Sequence, residues 1–143
     1  MESLSTMGCC GALSPGHENR GAEVLVVEDE ALIAMDILGM LKKMGCARSE
    51  AVFSGEESLR RVAERRPDLV LMDIRLKGRM DGIQAAHQIF YRYDVPVVYL
   101  TAFGDEATID RANGSARFGY LTKPFEENEL RSTIKSALDR PLC

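Results

Sequence analysis

Three acidic side chains and one lysine follow short hydrophobic runs of the chain. Glu28 and Asp29 come directly after one such run. Asp73 ends a second run, and Lys123 comes after a third. Carboxylate oxygens are the ligands that Mg²⁺ prefers, and a carboxylate beside a metal ion and an ammonium group can act as a nucleophile toward phosphorus. The residue types therefore predict metal-supported phosphoryl chemistry, provided that the fold brings these four side chains together.

The hydrophobic runs themselves predict strands of a parallel sheet. The candidates are Val24–Val27, Ala47–Phe53, Leu69–Met72, Val97–Leu100 and Phe118–Leu121. Because the carboxyl ends of parallel strands line one edge of a sheet, polar groups that are distant in sequence can meet there. The second candidate is interrupted by polar residues, which an edge position in the sheet tolerates.

Segments with helical periodicity separate these runs. Their apolar stripes are Ile33, Ile37, Met40, Leu41 and Met44, then Leu59, Val62 and Ala63, then Ile83, Ala86 and Phe90, and finally Leu130, Ile134, Ala137 and Leu138. Capping patterns precede two of them, at Ser54 with Glu57 and at Asp81 with Gln84. A fourth helix, within 105–116, is the weakest prediction because Asn-Gly-Ser interrupts it. Five strands alternating with five helices indicate an α/β fold.

Length and charge exclude several classes of protein. The 143 residues suit one domain, and a hydrophobic fraction of 45% can supply its core. A net charge of −4 argues against a stand-alone nucleic-acid binder, which needs a basic face. No apolar run approaches the roughly 18 residues of a membrane span. We therefore expect a protein without a nucleic-acid or membrane partner.

Composition also predicts the domain limits and the compartment. Residues 1–21 are rich in small residues without periodicity, which predicts a disordered tail before a single domain at 22–140. The few residues that follow predict that there is no output domain. The cysteines have neither CxxC spacing nor a zinc-site pattern, so we interpret them as reduced thiols of a cytoplasmic protein. They are Cys9, Cys10, Cys46 and Cys143.

The predicted cluster of acids needs a counter-charge. Two carboxylates at roughly 4 Å repel each other by about 4 kcal/mol at an effective dielectric of about 20. Mg²⁺ and Lys123 together can offset this repulsion among Glu28, Asp29 and Asp73. Thr101 ends another strand and offers a hydroxyl donor to a phosphoryl oxygen. Taken alone, the Glu28–Asp29 pair could equally be a charge pair at a helix N-terminus.

Five stretches of the chain resemble the receiver domain of two-component response regulators. They are Val26–Glu30, Leu71–Leu76, Met80–Ile83, Tyr99–Ala102 and Tyr120–Phe125. The resemblance runs from about residue 23 to residue 138. It implies a flavodoxin-like, doubly wound (βα)5 three-layer sandwich with a parallel five-stranded sheet in the order 2-1-3-4-5.

The resemblance also implies a phosphoacceptor and a metal site. Asp73 would be the phosphoacceptor, and Mg²⁺ would be bound by Glu28, Asp29, Asp73 and the backbone carbonyl of Arg75. Many relatives carry aspartate where this chain has Glu28. That difference leaves open whether the Glu28 carboxylate reaches the metal directly or through water.

The remaining implied roles concern switching. Lys123 would contact the phosphoryl group and precede a cis peptide bond to Pro124. Thr101 would be the switch hydroxyl and Tyr120 the switch aromatic residue. A sensor histidine kinase or a histidine phosphotransfer protein would donate the phosphoryl group. Phosphorylation would then alter the surface formed by the fourth helix, fifth strand and fifth helix, which a downstream protein target would bind.

We therefore expect a single-domain signalling protein, a monomer or a phosphorylation-dependent dimer, that assists its own phosphorylation and dephosphorylation without being an enzyme. Two alternatives fit the residues less well. A haloacid-dehalogenase-like Mg²⁺-dependent phosphatase needs a second acid two residues after its nucleophile, where this chain has Arg75. A flavodoxin-like cofactor binder needs a phosphate-binding loop of Ser, Thr or Gly where this chain has three acids at 28–30.

Overall fold

The computed structural model describes residues 21–102, 104–105 and 119–138. Strands and helices alternate along this part of the chain. They are β1 Glu23–Val27, α1 Ala31–Lys43, β2 Arg48–Val52, α2 Gly55–Glu64, β3 Leu69–Asp73, α3 Gly82–Tyr93, β4 Val97–Thr101, β5 Gly119–Thr122 and α4 Glu127–Leu138. The predicted N-terminal tail and the predicted helix within 105–116 lie largely outside the described residues.

The five strands form one parallel sheet in the order β2-β1-β3-β4-β5, which confirms the predicted fold. Its register aligns the ends of the strands. Val27 pairs with Met72, so the residues that follow β1 lie beside the end of β3. Thr101 pairs with Thr122, which places Lys123 beside the end of β4.

Helices cover both faces of the sheet. On one face, α2 and α3 contribute residues such as Val62 and Ile89 to a core that includes Val27. On the other face, α1 and α4 contribute residues such as Leu41 and Ile134. Because both faces are covered, every residue of β3 and β4 is buried, which is typical of central strands in a parallel sheet.

The predicted stripes of α1 and α4 face the core, whereas the stripe of α2 was partly wrong. Ala63 is exposed, and the polar Ser58 is buried instead. The Ser58 hydroxyl donates a hydrogen bond to the Gly55 carbonyl at 2.6 Å. A serine can replace an apolar residue here because its hydroxyl has a partner within the helix.

Both predicted capping residues make their hydrogen bonds. The Ser54 hydroxyl accepts from the backbone N–H of Glu57 at 3.1 Å, and Asp81 forms a complete capping box with Gln84. These caps satisfy backbone donors at the starts of α2 and α3. They fix the beginning of each helix relative to the loops above the sheet.

The edge strand β2 is shorter than predicted and carries the expected polar residues. Glu50 lies 3.0 Å from the Arg61 guanidinium of α2. Charged side chains on an edge strand oppose pairing with a second sheet. Within the described part of the chain, no helix is long and apolar enough to cross a membrane.

Gly82 begins α3 in direct contact with the backbone of β3. A Cβ atom at Gly82 would lie only 2.0 Å from the carbonyl oxygen of Asp73. Relieving this clash would require the backbone of α3 or the end of β3 to shift. The absence of a side chain at Gly82 therefore lets α3 pack against the strand that carries Asp73.

We expect Gly82→Ala to lower the free energy of unfolding by about 3 kcal/mol, because the added methyl group must displace backbone atoms. Urea unfolding followed by circular dichroism measures this change. Gly39→Ala is the matched control, because a Cβ on this exposed residue of α1 meets no atom within 4 Å. We expect it to stabilise the protein by up to about 1 kcal/mol. Equal stability of the two variants would contradict the contact described for Gly82.

Candidate functional site

The structure brings the three predicted acids together at the carboxyl edge of the sheet. Glu28 and Asp29 directly follow β1, and Asp73 is the last residue of the neighbouring β3. One oxygen of each of these three carboxylates lies within 4.8 Å of the others. The parallel register produces this arrangement, because it brings the ends of β1 and β3 side by side.

Lys123 reaches this cluster from the far side of β4. Its backbone N–H donates to the Thr101 carbonyl at 2.7 Å, and its peptide bond to Pro124 is cis, as the resemblance implied. The side-chain Nζ donates to Glu28 Oε1 at 3.1 Å and lies 3.7 Å from Asp73 Oδ1. One ammonium group therefore contacts carboxylates from two different strands.

Glu28 is completely buried and both of its carboxylate oxygens accept hydrogen bonds. Oε1 accepts from Lys123 and Oε2 accepts from the backbone N–H of Glu30 at 3.2 Å. A buried carboxylate is tolerated only when its charge and its lone pairs have partners. Glu28 therefore holds Lys123 in the site, in addition to any contact with a metal ion.

The carboxyl group of Asp73 has a strongly perturbed pKa. Its pKa is raised from the ordinary 3.8 to about 7, mainly by burial and also by the nearby Glu28 carboxylate. The backbone N–H of Arg75, which donates to Asp73 Oδ1 at 3.0 Å, and the Lys123 ammonium group act in the opposite direction. A cation bound between the acids would favour the ionised form of Asp73, because an opposite charge stabilises a carboxylate.

The donor set fits a magnesium ion. Mg²⁺ is bound in proteins by a few carboxylates and keeps several waters, and the three neighbouring carboxylates provide such a set. Asp29 uses Oδ2 to accept from the backbone N–H of Lys77 at 3.1 Å. Its other oxygen is available to a cation.

Thr101 and Tyr120 lie on the neighbouring strands β4 and β5. Thr101 is buried, and its hydroxyl donates to the Leu121 carbonyl at 3.2 Å. It is thus directed toward β5. Tyr120 is 51% exposed. The two predicted switch residues therefore lie on adjacent strands but not at paired positions, because Thr101 pairs with Thr122 and Tyr120 with Tyr99. The hydroxyl is hydrogen-bonded to the sheet, and the tyrosine is in contact with solvent.

An ion pair between Arg75 and Asp105 was not predicted. The resemblance implied a role for the backbone carbonyl of Arg75 as a metal ligand. The sequence pattern placed Asp105 at the start of the predicted fourth helix. In the structure, Arg75 Nε donates to Asp105 Oδ1 at 3.1 Å, and Nη2 donates to the same oxygen. The Arg75 hydrogen bond holds the pKa of Asp105 below its ordinary value. No local pattern in the sequence signals a pairing over 30 residues between two loops.

These groups surround one cavity of about 310 Å³. Its walls include Asp29, Asp73, Arg75, Ala102, Asp105 and Lys123. Such a cavity combines carboxylates that can hold a cation with cations that can attract an anion. Chemically, this arrangement can bind a metal ion and a small anionic group at the same time, next to the Asp73 carboxylate.

Comparison with known proteins identifies the same domain throughout. Residues 24–135 match the model of the response regulator receiver domain. The chain is 38% identical over 117 residues to the transcriptional regulatory protein PdtaR of Mycobacterium tuberculosis (strain ATCC 25618 / H37Rv). This match covers 82% of the chain but only 57% of that relative, so the chain spans little more than half of the relative's length.

Solved structures agree with this match. The crystal structure of the receiver domain of NtrX from Brucella abortus superposes with a TM-score of 0.76 at 29% identity, covering 82% of this chain and 98% of that one. A putative response regulator from Chloroflexus aurantiacus superposes with a TM-score of 0.75 at 30% identity, covering 85% and 100%. The similarity therefore extends over most of this chain and over nearly the whole of each solved chain.

The raised pKa of Asp73 predicts a pH-dependent cost of its charge. A carboxyl group whose pKa is raised by folding stabilises the protein fully below about pH 4, and this contribution is lost as the pH rises through about 7. We expect Asp73→Asn, which carries no charge, to be more stable than the native chain by about 1–2 kcal/mol above pH 7 without divalent cations, allowing for solvent screening.

Urea unfolding in chelator at about pH 5 and about pH 8 tests this expectation. The advantage of Asp73→Asn should shrink at the lower pH. Asp36→Asn, on the exposed face of α1, controls for the general loss of a carboxylate. An advantage of Asp73→Asn that stayed the same at both pH values would contradict the electrostatic cost assigned to Asp73.

Proposed function

The chain belongs to the response regulator receiver domain family, and from this premise we propose that Asp73 accepts a phosphoryl group from a phosphohistidine. The donor is a sensor histidine kinase or a histidine phosphotransfer protein. The observation that carries the proposal is the position of the Lys123 ammonium group, within 3.1 Å of Glu28 and 3.7 Å of Asp73. It provides a positive charge beside the carboxylate that would become negatively charged acyl phosphate.

The proposed reaction is a direct phosphoryl transfer. An ionised oxygen of Asp73 supplies the electron pair for a new O–P bond, while the N–P bond to the donor imidazole breaks. The imidazole leaves with the electrons of that bond and takes a proton from solvent. Asp73 Oδ1 already accepts the backbone N–H of Arg75, so this hydrogen bond holds the carboxylate in one orientation during attack.

Mg²⁺ belongs to this proposal. Asp29, Asp73 and the backbone carbonyl of Arg75 would hold the ion, with Glu28 contributing directly or through water. When bound, the ion supplies positive charge that offsets the negative charge on the phosphoryl oxygens. Glu28 already accepts hydrogen bonds at both oxygens, which supports an indirect contribution from this residue.

Lys123 and Thr101 complete the proposed site. The ammonium group of Lys123 donates to a phosphoryl oxygen, since it is held beside Asp73 by Glu28. The hydroxyl of Thr101 exchanges its bond to the Leu121 carbonyl for a bond to another phosphoryl oxygen. Movement of Thr101 would leave space that the ring of Tyr120, which is half exposed on the adjacent strand, would turn inward to fill.

The proposed output is a change in the conformation of one surface of the domain. Phosphorylation would favour one of two arrangements of the surface around β5 and α4, together with the helix predicted before β5. A downstream protein target would bind the favoured arrangement, as a partner of a monomer or of a phosphorylation-dependent dimer in the cytoplasm. In this role the chain is a signalling domain of residues 22–140 that also hydrolyses its own acyl phosphate.

We expect incubation with acetyl phosphate and Mg²⁺ to add one phosphoryl group to the native chain, as measured by intact-mass spectrometry. Asp73→Asn should gain no phosphoryl group, because the amide is not a nucleophile toward phosphorus. Asp36→Asn is the control, since its side chain is exposed on α1 and away from the cavity. Phosphorylation of Asp73→Asn to the native level would refute the proposed acceptor.

Replacement of Lys123 by glutamine should slow this phosphorylation by a factor of about 10² or more, which is typical for the loss of a preorganised donor at a site of developing charge. The rate of phosphoryl incorporation from acetyl phosphate measures the effect. Lys42→Gln, in the exposed last turn of α1, removes an equal charge far from the cavity. Equal rates for Lys123→Gln and Lys42→Gln would contradict the role of Lys123.

A further inference from the structure

The pairing of Arg75 with Asp105 joins two loops at the mouth of the cavity. Arg75 lies two residues after the end of β3, and its backbone N–H donates to Asp73 Oδ1 at 3.0 Å. Its guanidinium donates to Asp105 through Nε at 3.1 Å and also through Nη2. The same arginine therefore contacts Asp73 through its backbone and Asp105 through its side chain.

Asp105 in turn restrains the segment that follows Thr101. Its Oδ2 accepts from the backbone N–H of Ala102 at 2.9 Å, and its own N–H donates to the Ala102 carbonyl at 3.2 Å. Thr101 is the last residue of β4. A displacement of Thr101 toward Asp73 must therefore move Ala102 against these two hydrogen bonds.

The two partners differ sharply in burial. The Asp105 side chain is 3% exposed, whereas the Arg75 side chain is 71% exposed. A buried carboxylate depends on its counter-ion, and it is destabilised when that partner is withdrawn. The exposed guanidinium, by contrast, can change partner at little cost. Arg75 is therefore the partner that can move, and Asp105 is the partner that is destabilised when Arg75 moves away.

We propose that the Arg75–Asp105 ion pair is a resting-state latch, which a phosphoryl group on Asp73 opens by drawing the Arg75 guanidinium away from Asp105. This inference rests on the proposed phosphorylation of Asp73. A guanidinium binds phosphoryl oxygens through two parallel hydrogen bonds, and Arg75 lines the same cavity as Asp73. The withdrawal leaves the buried Asp105 carboxylate without its counter-ion, which favours its movement toward solvent. That movement breaks the hydrogen bonds between Asp105 and Ala102, so that Thr101 can approach the phosphoryl group.

In this proposal Arg75 is a positioning residue, and its role can be measured as a change in the affinity for a phosphoryl mimic. Phosphoryl binding and latch closure compete for one guanidinium, so weakening the latch must strengthen the binding of a phosphoryl mimic. Asp105→Asn is the suitable variant, because the amide oxygen can still accept from Ala102 while the negative charge is lost. We expect it to bind fluoroberyllate in the presence of Mg²⁺ about fivefold or more tightly than the native chain.

A second comparison separates the latch from simple charge repulsion. In the Arg75→Gln background no guanidinium can be released, so Asp105→Asn should change the affinity for fluoroberyllate little. If Asp105 acted only by repelling the anion, its removal would help at least as much in that background. Arg79→Gln, an exposed arginine of the same loop, is the matched background in which the fivefold gain should persist.

Nuclear magnetic resonance of the native chain gives a readout that needs no variant to fold. On addition of fluoroberyllate and Mg²⁺, the Arg75 Nε–H and Ala102 amide resonances should both shift, because both hydrogen-bond to Asp105. Unchanged resonances despite binding would overturn the latch and leave the phosphoacceptor assignment intact. So would an equal gain from Asp105→Asn with and without Arg75. Failure of the native chain to bind fluoroberyllate at all would instead overturn the proposed function.

Discussion

The contact of one lysine with two buried carboxylates is the interaction on which the site depends. Glu28 directly follows β1, Asp73 ends the neighbouring β3, and both have almost no exposure to solvent. Lys123 Nζ lies 3.1 Å from the first and 3.7 Å from the second. Removing Lys123 would leave these two buried carboxylates without compensation, and loss of the partner of a buried charge costs about 3–5 kcal/mol. The rest of the fold can be understood as the means of holding these three groups at this separation.

The order of the strands follows from that requirement. The acids come from β1 and β3, which are neighbours, so their carboxylates are separated by only one strand spacing. Lys123 follows β5 and needs a long, flexible side chain to reach past β4. The tight contact of Gly82 with the carbonyl of Asp73 fixes the end of β3 from the opposite side. The backbone at the end of β3 therefore determines both how α3 packs and where the Asp73 side chain lies.

The sequence predicts those parts of the molecule that depend on local pattern. The central strands β3 and β4 could be recognised because burial on both faces makes them uninterrupted apolar runs. The cap at Asp81 could be recognised because its hydrogen bonds connect residues three apart. The polar ends of the strands predicted a shared edge, and the structure brings those side chains together.

Other features depend on contacts that no local pattern records. The stripe of α2 was misread because helical spacing alone favours Ala63, whereas the orientation of the helix on the sheet buries Ser58. Arg75 and Asp105 lie in different loops, and each is an ordinary surface residue by type. Only the path of the backbone after β3 and β4 brings them to one cavity. Loop-to-loop pairings of this kind require the three-dimensional structure.

Negative charge exceeds positive charge around the cavity, and this excess explains how one site can bind both a cation and an anion. Lys123 alone cannot neutralise three neighbouring carboxylates. Burial and the Glu28 carboxylate together raise the pKa of Asp73, so its charged form lacks compensation in the site. A divalent cation would supply that compensation and leave the site able to attract a dianion. Asp105 does not add to the imbalance, because Arg75 neutralises it. The state of that pair thus decides how much positive charge remains for a group attached to Asp73, which links the loop after β4 to the chemistry at the end of β3.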